Sequence, residues 1–467
     1  MSKTKELSDK VFIFTEMVKC YFKFLAIPTK HLKSTNTSMK ERLLSLDVFR
    51  GLTLAGMILV NNPGSWSTVY PPLLHADWHG ITPTDWVFPF FLFIVGVAIP
   101  LALGKRKERG DDQGAIIKKI VSRVAIIFGL GLFLSAYPRF GMGDEVGGIR
   151  SLHYVVLAIF ILSLFTREAV ADDSPIRRWA GITALVAIGA MVIIGFFGYD
   201  FSRLRIPGVL QRIALVYGAC GILFLKADWR MQAWVGVGLL LLYWFLMMVV
   251  PVPGIGPANL EAETNLGAWF DNLLLKGHMY SQTKVWDPEG LMSTLPAIVT
   301  GIIGMLTGSW LKTDNDHYKK VAGILVAGAI LLGLSHVWDL NFPINKKIWT
   351  SSYVLYTGGV ALLILGVIYW IADIQGYKKW TKPFVIYGTN ALFVYVMSGL
   401  VVKTMFAIKW VGSNDQSWNI YSWLYNNLFV PVFSSPYNAS LAYALANVLF
   451  FFGLAWVLYR AKIFIKV

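Results

Sequence analysis

Charge is scarce in this 467-residue chain. Asp, Glu, Lys and Arg make up 15% of it, against about a quarter in soluble domains. So little charge cannot clothe a soluble surface, and it excludes disordered and coiled-coil chains as well. Cysteine is nearly absent, with Cys20 in the leading basic segment and Cys220 in an apolar run. Two such cysteines support neither a disulfide framework nor a metal site. The motifs of soluble enzymes are also missing. There is no Walker A loop, dinucleotide fingerprint, HExxH helix or GxSxG elbow, and Gly-Ile-Gly-Pro at 254–257 is loop punctuation. Any chemistry is therefore built among helices.

What is present is apolar. Hydrophobic residues reach 56% and aromatic residues 15%, which places most of the mass in a bilayer. A spanning helix needs about 20 apolar residues. Twelve segments qualify: 46–62, 84–103, 117–136, 152–166, 179–198, 208–225, 231–250, 291–311, 321–340, 352–372, 384–402 and 439–459. The predicted fold is an all-α polytopic membrane protein of about 12 transmembrane helices. With the N-terminus inside, the inner segments carry 30 Lys and Arg and the outer ones 10, while Arg50 and Arg212 lie within spans. The net charge of +15 is thus the positive-inside pattern rather than a nucleic-acid surface. Both termini are expected to be cytoplasmic, with loop 63–83, which has no Lys or Arg, outside. Residues 1–45 read as a basic cytoplasmic tail. Within it Phe14, Met17, Val18, Tyr21, Phe22 and Leu25 have the spacing of an interfacial amphipathic helix. Residues 46–467 form the transmembrane domain.

Three long predicted outer loops, 63–83, 251–290 and 403–438, are rich in Trp, Tyr, Pro, Asn and Gly. Aromatic rings with polar tips suit sugar binding, and they equally form membrane-interface belts. The stretch from Asn61 to Asp85 gathers His75, Asp77, His79, Asn61, Asn62 and Asp85. Histidine is the natural general base near neutral pH. Asp77 or Asp85 would orient it, and an Asn amide can donate to a developing oxyanion. His75 and His79 have an i, i+4 spacing, but Pro71, Pro72 and Gly80 oppose a helix there, and no metal is expected. Ionisable groups inside spans form a second set. Asp47 and Arg50 lie three apart on one helix face, and Gln211 and Arg212 start a span. Such groups are functional candidates, though Asp47 and Arg50 would also make a local ion pair.

Several ordered motifs resemble one family. These are Arg42-Leu-Leu-Ser-Leu-Asp-Val-Phe-Arg-Gly51, Val60-Asn61, His75-Ala-Asp-Trp-His-Gly80, Asp85-Trp-Val-Phe-Pro89 and Arg205-Ile-Pro-Gly-Val-Leu-Gln-Arg212. Trp286-Asp-Pro-Glu-Gly290, Pro343-Ile-Asn-Lys-Lys-Ile-Trp349 and Tyr387-Gly-Thr-Asn-Ala391 continue the series. Together they look like the heparan-α-glucosaminide N-acetyltransferase family over about residues 41–467. The resemblance implies a transmembrane enzyme that takes acetyl from cytosolic acetyl-CoA and places it on a glucosamine amine at the other face. It implies His75 as the active-site histidine and Asn61 beside the acetyl group. His79 stands where the animal enzyme has Asn. Trp78, His79, Asp287, Glu289 and Asn345 would flank the acceptor. The nucleotide end of the donor would meet inner-face basic residues such as Arg50, Lys105, Arg106 and Arg123, with Asp47, Gln211 and Arg212 as further cofactor-side candidates. An extra helical hairpin at 152–198 departs from the family pattern. A bacterial-type protein of the cytoplasmic membrane is implied, and homodimerisation is a family expectation.

The thioester donor is already activated, so the chemistry asks for a base and not a metal. His75 would take the amine proton directly, or carry the acetyl group itself in a two-step route. Two other readings share parts of this pattern. An O-acyltransferase of cell-surface polysaccharide would use the same donor. An amino-sugar transporter would share the span count, but it should show paired repeats and broken helices.

Overall fold

The computed structural model describes residues 43–142, 147–170, 174–412 and 415–465. The predicted amphipathic helix of the tail lies outside the described residues. The predicted spans all fall on helices. They are α1 Leu44–Asn61, α2 Val87–Glu108, α3 Gln113–Ala136, α4 Gly147–Ala169, α5 Pro175–Gly198, α6 Val209–Lys226 and α7 Trp229–Val249. After a short loop helix, α8 Leu266–Leu275, come α9 Thr294–Leu311, α10 His317–Asp339, α11 Ser351–Tyr369, α12 Lys382–Thr389 and α13 Ala391–Ala407. A two-stranded hairpin, β1 Lys409–Val411 with β2 Ser417–Asn419, and α14 Ile420–Leu424 precede α15 Pro436–Arg460. Among the described residues nine helices are long and apolar enough to cross a membrane, or ten if α12 and α13 make one span bent by 68°. That is fewer than the twelve expected. Helix α3 carries Lys118, Lys119 and Arg123 in its first half, and the apolar part of α4, Gly148–Leu164, is short.

The helix starts are set by local chemistry. Asp112, Asp228, Asn265, Asp316 and Thr350 accept backbone N–H groups at the starts of α3, α7, α8, α10 and α11. Each satisfies donors that a helix start leaves free. The start of α1 is served from far along the chain, where the Asp373 carboxylate accepts the amides of Leu44 and Ser45 at 3.2 and 2.9 Å. A carboxylate at a helix start also complements its dipole.

The centre of the bundle is close-packed backbone. A Cβ on Gly96 of α2 would lie 2.0 Å from the Gly301 carbonyl of α9, and one on Gly304 would lie 2.0 Å from the Phe93 carbonyl. Small residues let helices approach this closely inside a membrane, where burial of apolar surface gives no drive. The most apolar windows of Pro83–Glu108 and Ser351–Ile374 are 67% buried, whereas those of α5 and α10 are 22% buried. The first pair is central and the second is peripheral. Helices α4 and α5 pack on each other over the stretch 152–198.

Candidate active site

A cavity of about 470 Å³ opens at the end of the bundle where α1 finishes and α2 and α6 begin. Its walls come from segments far apart in sequence: Asn61 of α1, His75 and Asp85 of the following loop, Arg205, Glu289, and Lys346. Trp78, Tyr280, Trp286 and Trp349 supply aromatic surface.

His75 and Asp85 form the centre. Nδ1 of His75 lies 2.7 Å from Oδ1 of Asp85. The Asp85 side chain is almost wholly buried, while that of His75 is 45% exposed. Asp85 is fixed by the turn that carries it. Its Oδ2 accepts the Ala76 amide at 3.1 Å, the Thr82 amide at 3.0 Å and the Thr82 hydroxyl at 3.1 Å. Thr82 and Asp85 are the two ends of a capping box on the short 3-10 helix Pro83–Trp86. From α11, the Tyr353 hydroxyl donates to the Asp85 carbonyl at 2.6 Å. A carboxylate only accepts, so the 2.7 Å contact assigns the proton to Nδ1. Nε2 then carries the lone pair, which is the arrangement of a general base held by an orienting carboxylate.

Sequence reasoning left Asp77 and Asp85 as alternative partners of His75. The geometry gives Asp85. Asp77 is exposed, and its backbone carbonyl accepts from Lys347 Nζ. Asn61 reaches the same cavity. Trp78 packs edge-on against Trp286 at 5.3 Å, and its Nε1 donates to the Leu260 carbonyl at 2.9 Å.

Three predicted acceptor-side residues act through neighbours. Asp287 is buried and grips Arg205, accepting from Nε at 2.9 Å and Nη2 at 2.7 Å. Glu289 accepts from the same guanidinium, and it lines the cavity. Burial opposes the Arg205 charge, but these two carboxylates outweigh it and hold the guanidinium above its ordinary range. Asn345 is fully buried and braces a tight turn, its Oδ1 accepting the amides of Lys347 and Ile348 at 2.7 and 3.2 Å. That turn leads into Trp349, a non-glycine residue at φ 54°. Such a conformation costs about 1–3 kcal/mol and persists where packing over-determines it. Here Phe88, Tyr353 and Arg212 surround the indole at 5.1, 5.1 and 5.0 Å. His79 lies beside Asn345 at 3.5 Å.

Sequence reasoning did not single out Arg205, Lys346 or Lys347, although each stands inside a quoted motif. Lys346 Nζ lies 3.3 Å from Asp85 Oδ1 and 3.0 Å from His75 Nδ1. Burial pulls its basicity down, and the Asp85 charge works against that. Behind the Asp287 turn, Asp271 accepts the Leu291 amide at 2.9 Å. Burial pushes the Asp271 carboxyl up to about 6, despite its bonds from the Leu291 and Asp287 amides.

A second cavity of about 330 Å³ adjoins the first and shares Met57, Asn61, Arg205, Val209 and Tyr395 with it. It runs between α1, α3, α6 and α13, and Gln211 and Lys403 line it. Arg212 lines neither cavity. It is buried, donates to the Gly290 carbonyl at 3.0 Å and to Ser293, and so stands with the His75 end of the bundle. The remaining cofactor-side candidates lie apart from both cavities. Asp47 and Arg50 pair with each other at 3.2 Å. Arg106 pairs with Asp111 at 3.1 Å, Lys105 is exposed in the last turn of α2, and Arg123 reaches the Tyr217 hydroxyl at 3.5 Å.

Apolar helices of membrane-spanning length, closed at one end by loops that assemble a polar, aromatic-walled pocket, define a polytopic integral membrane protein with an enzyme-like site. Comparison with known proteins narrows this class. Heparan-alpha-glucosaminide N-acetyltransferase of Mus musculus is 26% identical over 436 residues, covering 82% of this chain and 57% of the relative. The Homo sapiens protein of the same name is 25% identical over 484 residues, covering 92% of this chain and 61% of the relative. Residues 42–260 also match a family model described as a domain of unknown function, DUF5009. The resemblance read from the motifs is borne out along most of the chain. The chain spans about three fifths of the length of these relatives.

Proposed function

We propose that this protein is a transmembrane N-acetyltransferase that moves acetyl from acetyl-CoA to the amine of a glucosamine-type sugar. The observation that carries the reading is the His75–Asp85 pair at 2.7 Å, set in a cavity with Asn61 and aromatic walls. The homology to enzymes of that name supports the same chemistry.

In this reading the His75 end faces away from the cytosol, as the Lys and Arg distribution favours. The nucleotide of the donor stays toward the basic face, and its pantetheine arm reaches between the helices to the His75 chamber. Trp78 and Trp286 offer the sugar an apolar platform. The acceptor sheds its ammonium proton to water and enters as the free amine, and Nε2 of His75 takes a second proton from the nitrogen as it attacks the thioester carbon. The oxygen of the tetrahedral adduct accepts from the Asn61 amide. The C–S bond then breaks, and the thiolate leaves as CoA with the proton returned by His75. The products are the N-acetyl sugar and free CoA. The cavity walls supply a base, its orienting carboxylate and an amide donor.

The test is thiol release from purified protein in nanodiscs given acetyl-CoA and glucosamine. Release should require both the sugar and His75, so His75→Ala should lower it by about 10²–10⁴-fold. Full activity in His75→Ala would remove the assignment. Release without sugar, leaving acetyl on the protein, would favour the two-step route.

A further inference from the structure

We propose that Lys346 is a positioning residue that cancels the charge of Asp85, so that Asp85 orients the His75 ring without trapping it as an imidazolium. The inference builds on the role given to His75 above. A buried carboxylate beside a histidine does two things at once. It fixes the ring and tautomer, and it favours the protonated ring. The second effect defeats a general base, because an imidazolium has no lone pair to offer.

Lys346 answers that conflict by its position. Its Nζ lies 3.3 Å from the same Oδ1 that His75 engages. It also lies 3.0 Å from Nδ1 and 3.5 Å from Nε2 of the ring. The Asp85 carboxylate is thus shared between the Lys346 ammonium and the His75 ring. An imidazolium in this place would face a like charge at van der Waals range, which disfavours it. The position is built and not incidental. Asn345, fully buried, holds the turn through the Lys347 and Ile348 amides, and the Asn345 amide donates to Thr350 Oγ1 at 3.0 Å.

The other charged groups around His75 do not substitute for Lys346. Arg205 is occupied by Asp287 and Glu289. Lys347 is turned to the Asp77 carbonyl and lies 5.9 Å from the Trp78 ring centre. Asp77 and His79 are exposed on the His75 loop, and Asp85 itself is the shared partner.

The experiment titrates His75 directly. Diethyl pyrocarbonate attacks the unprotonated imidazole, so its rate of reaction at each histidine, read by peptide mass spectrometry across pH 5.5–9, reports which form is present. The full chain in detergent is compared with Lys346→Met and Lys346→Arg. In Lys346→Met the midpoint for His75 should move up by about one pH unit or more. It should stay in place in Lys346→Arg, which keeps the charge. The peptides holding His278 and His317 serve as internal controls. The acid limb of the kcat/KM profile should move in step, with activity regained at higher pH. A merely structural Lys346 would instead lower kcat at every pH and leave the midpoint unchanged, and that result overturns the proposal. Should Lys346→Met fail to fold, Asp85→Asn must move the midpoint down, and an unmoved midpoint there also overturns it. Chemical modification needs no turnover. Loss of the acetyltransferase reading would therefore show as an inactive wild-type protein, whatever the titration gives.

Discussion

Asp77 and Asp85 follow His75 in the same stretch of chain and carry the same charge, and Asp77 is the nearer in sequence. Their surroundings separate them. Asp85 is buried, with its Oδ2 held by Ala76 and Thr82 and its Oδ1 on His75. Asp77 faces outward. Asp85→Asn replaces an acceptor-only group with an amide that can donate to Nδ1. The ring would then carry its proton on Nε2 and lose the base. Acetyl transfer should fall by about 10²–10⁴-fold, whereas Asp77→Asn should stay within about twofold of wild type, as exposed side chains usually do. Equal loss in both variants, measured as thiol release, would refute the dyad. The residue types were legible in the sequence because a histidine near a carboxylate and an asparagine has a short list of uses. The choice between the two aspartates was not, because it depends on the Thr82–Asp85 capping box and on Tyr353, which lies 268 residues away. Lys346 escaped for a related reason. A lysine beside another lysine in a predicted outer loop reads as topology until the fold brings it to His75.

At the scale of elements, length and hydropathy located the predicted spans on helices, because a bilayer demands long apolar runs. They did not reveal α8, whose 10 residues are apolar but too few to cross. The break between α12 and α13 was also hidden. It falls at Asn390, whose side chain bonds the Ile463 carbonyl and the Ile465 amide at 2.9 Å each, and such contacts leave no periodic trace. Helix contacts are equally silent in a hydropathy pattern. The α2–α9 seam requires glycine because the facing atoms are backbone carbonyls, which cannot rotate away. Gly304→Leu should therefore destabilise the bundle by about 1–3 kcal/mol or more, read as a fall in the detergent melting temperature. Gly238→Ala, where a Cβ meets nothing within 4 Å, should leave it unchanged. A Gly304→Leu protein as stable as wild type would mean that the two helices are not in backbone contact.

For the whole molecule, the decisive property is which face of the membrane the His75 chamber meets. In the proposed reaction the donor is a cytosolic polyanion, and the distribution of 30 inner against 10 outer Lys and Arg favours a chamber on the opposite side. The second cavity shares Asn61 and Arg205 with the first and lies at the same end of the bundle, lined by the last turns of α1 and α3, the first turn of α6 and part of α13. Only the thin acyl-bearing arm would then have to enter the bundle, while the charged nucleotide remains in water. The native cysteines make the orientation measurable, since there are only two and Cys220 is buried. In a Cys20→Ser, Cys220→Ala background, Ser67→Cys reports the loop before His75 and Arg109→Cys reports the basic turn after α2. Both positions are exposed. A membrane-impermeant maleimide should label Ser67→Cys in intact cells and Arg109→Cys only after permeabilisation. The reverse pattern would put His75, acetyl-CoA and acceptor in one compartment. The chemistry at Nε2 could survive that result, but transfer across the membrane could not.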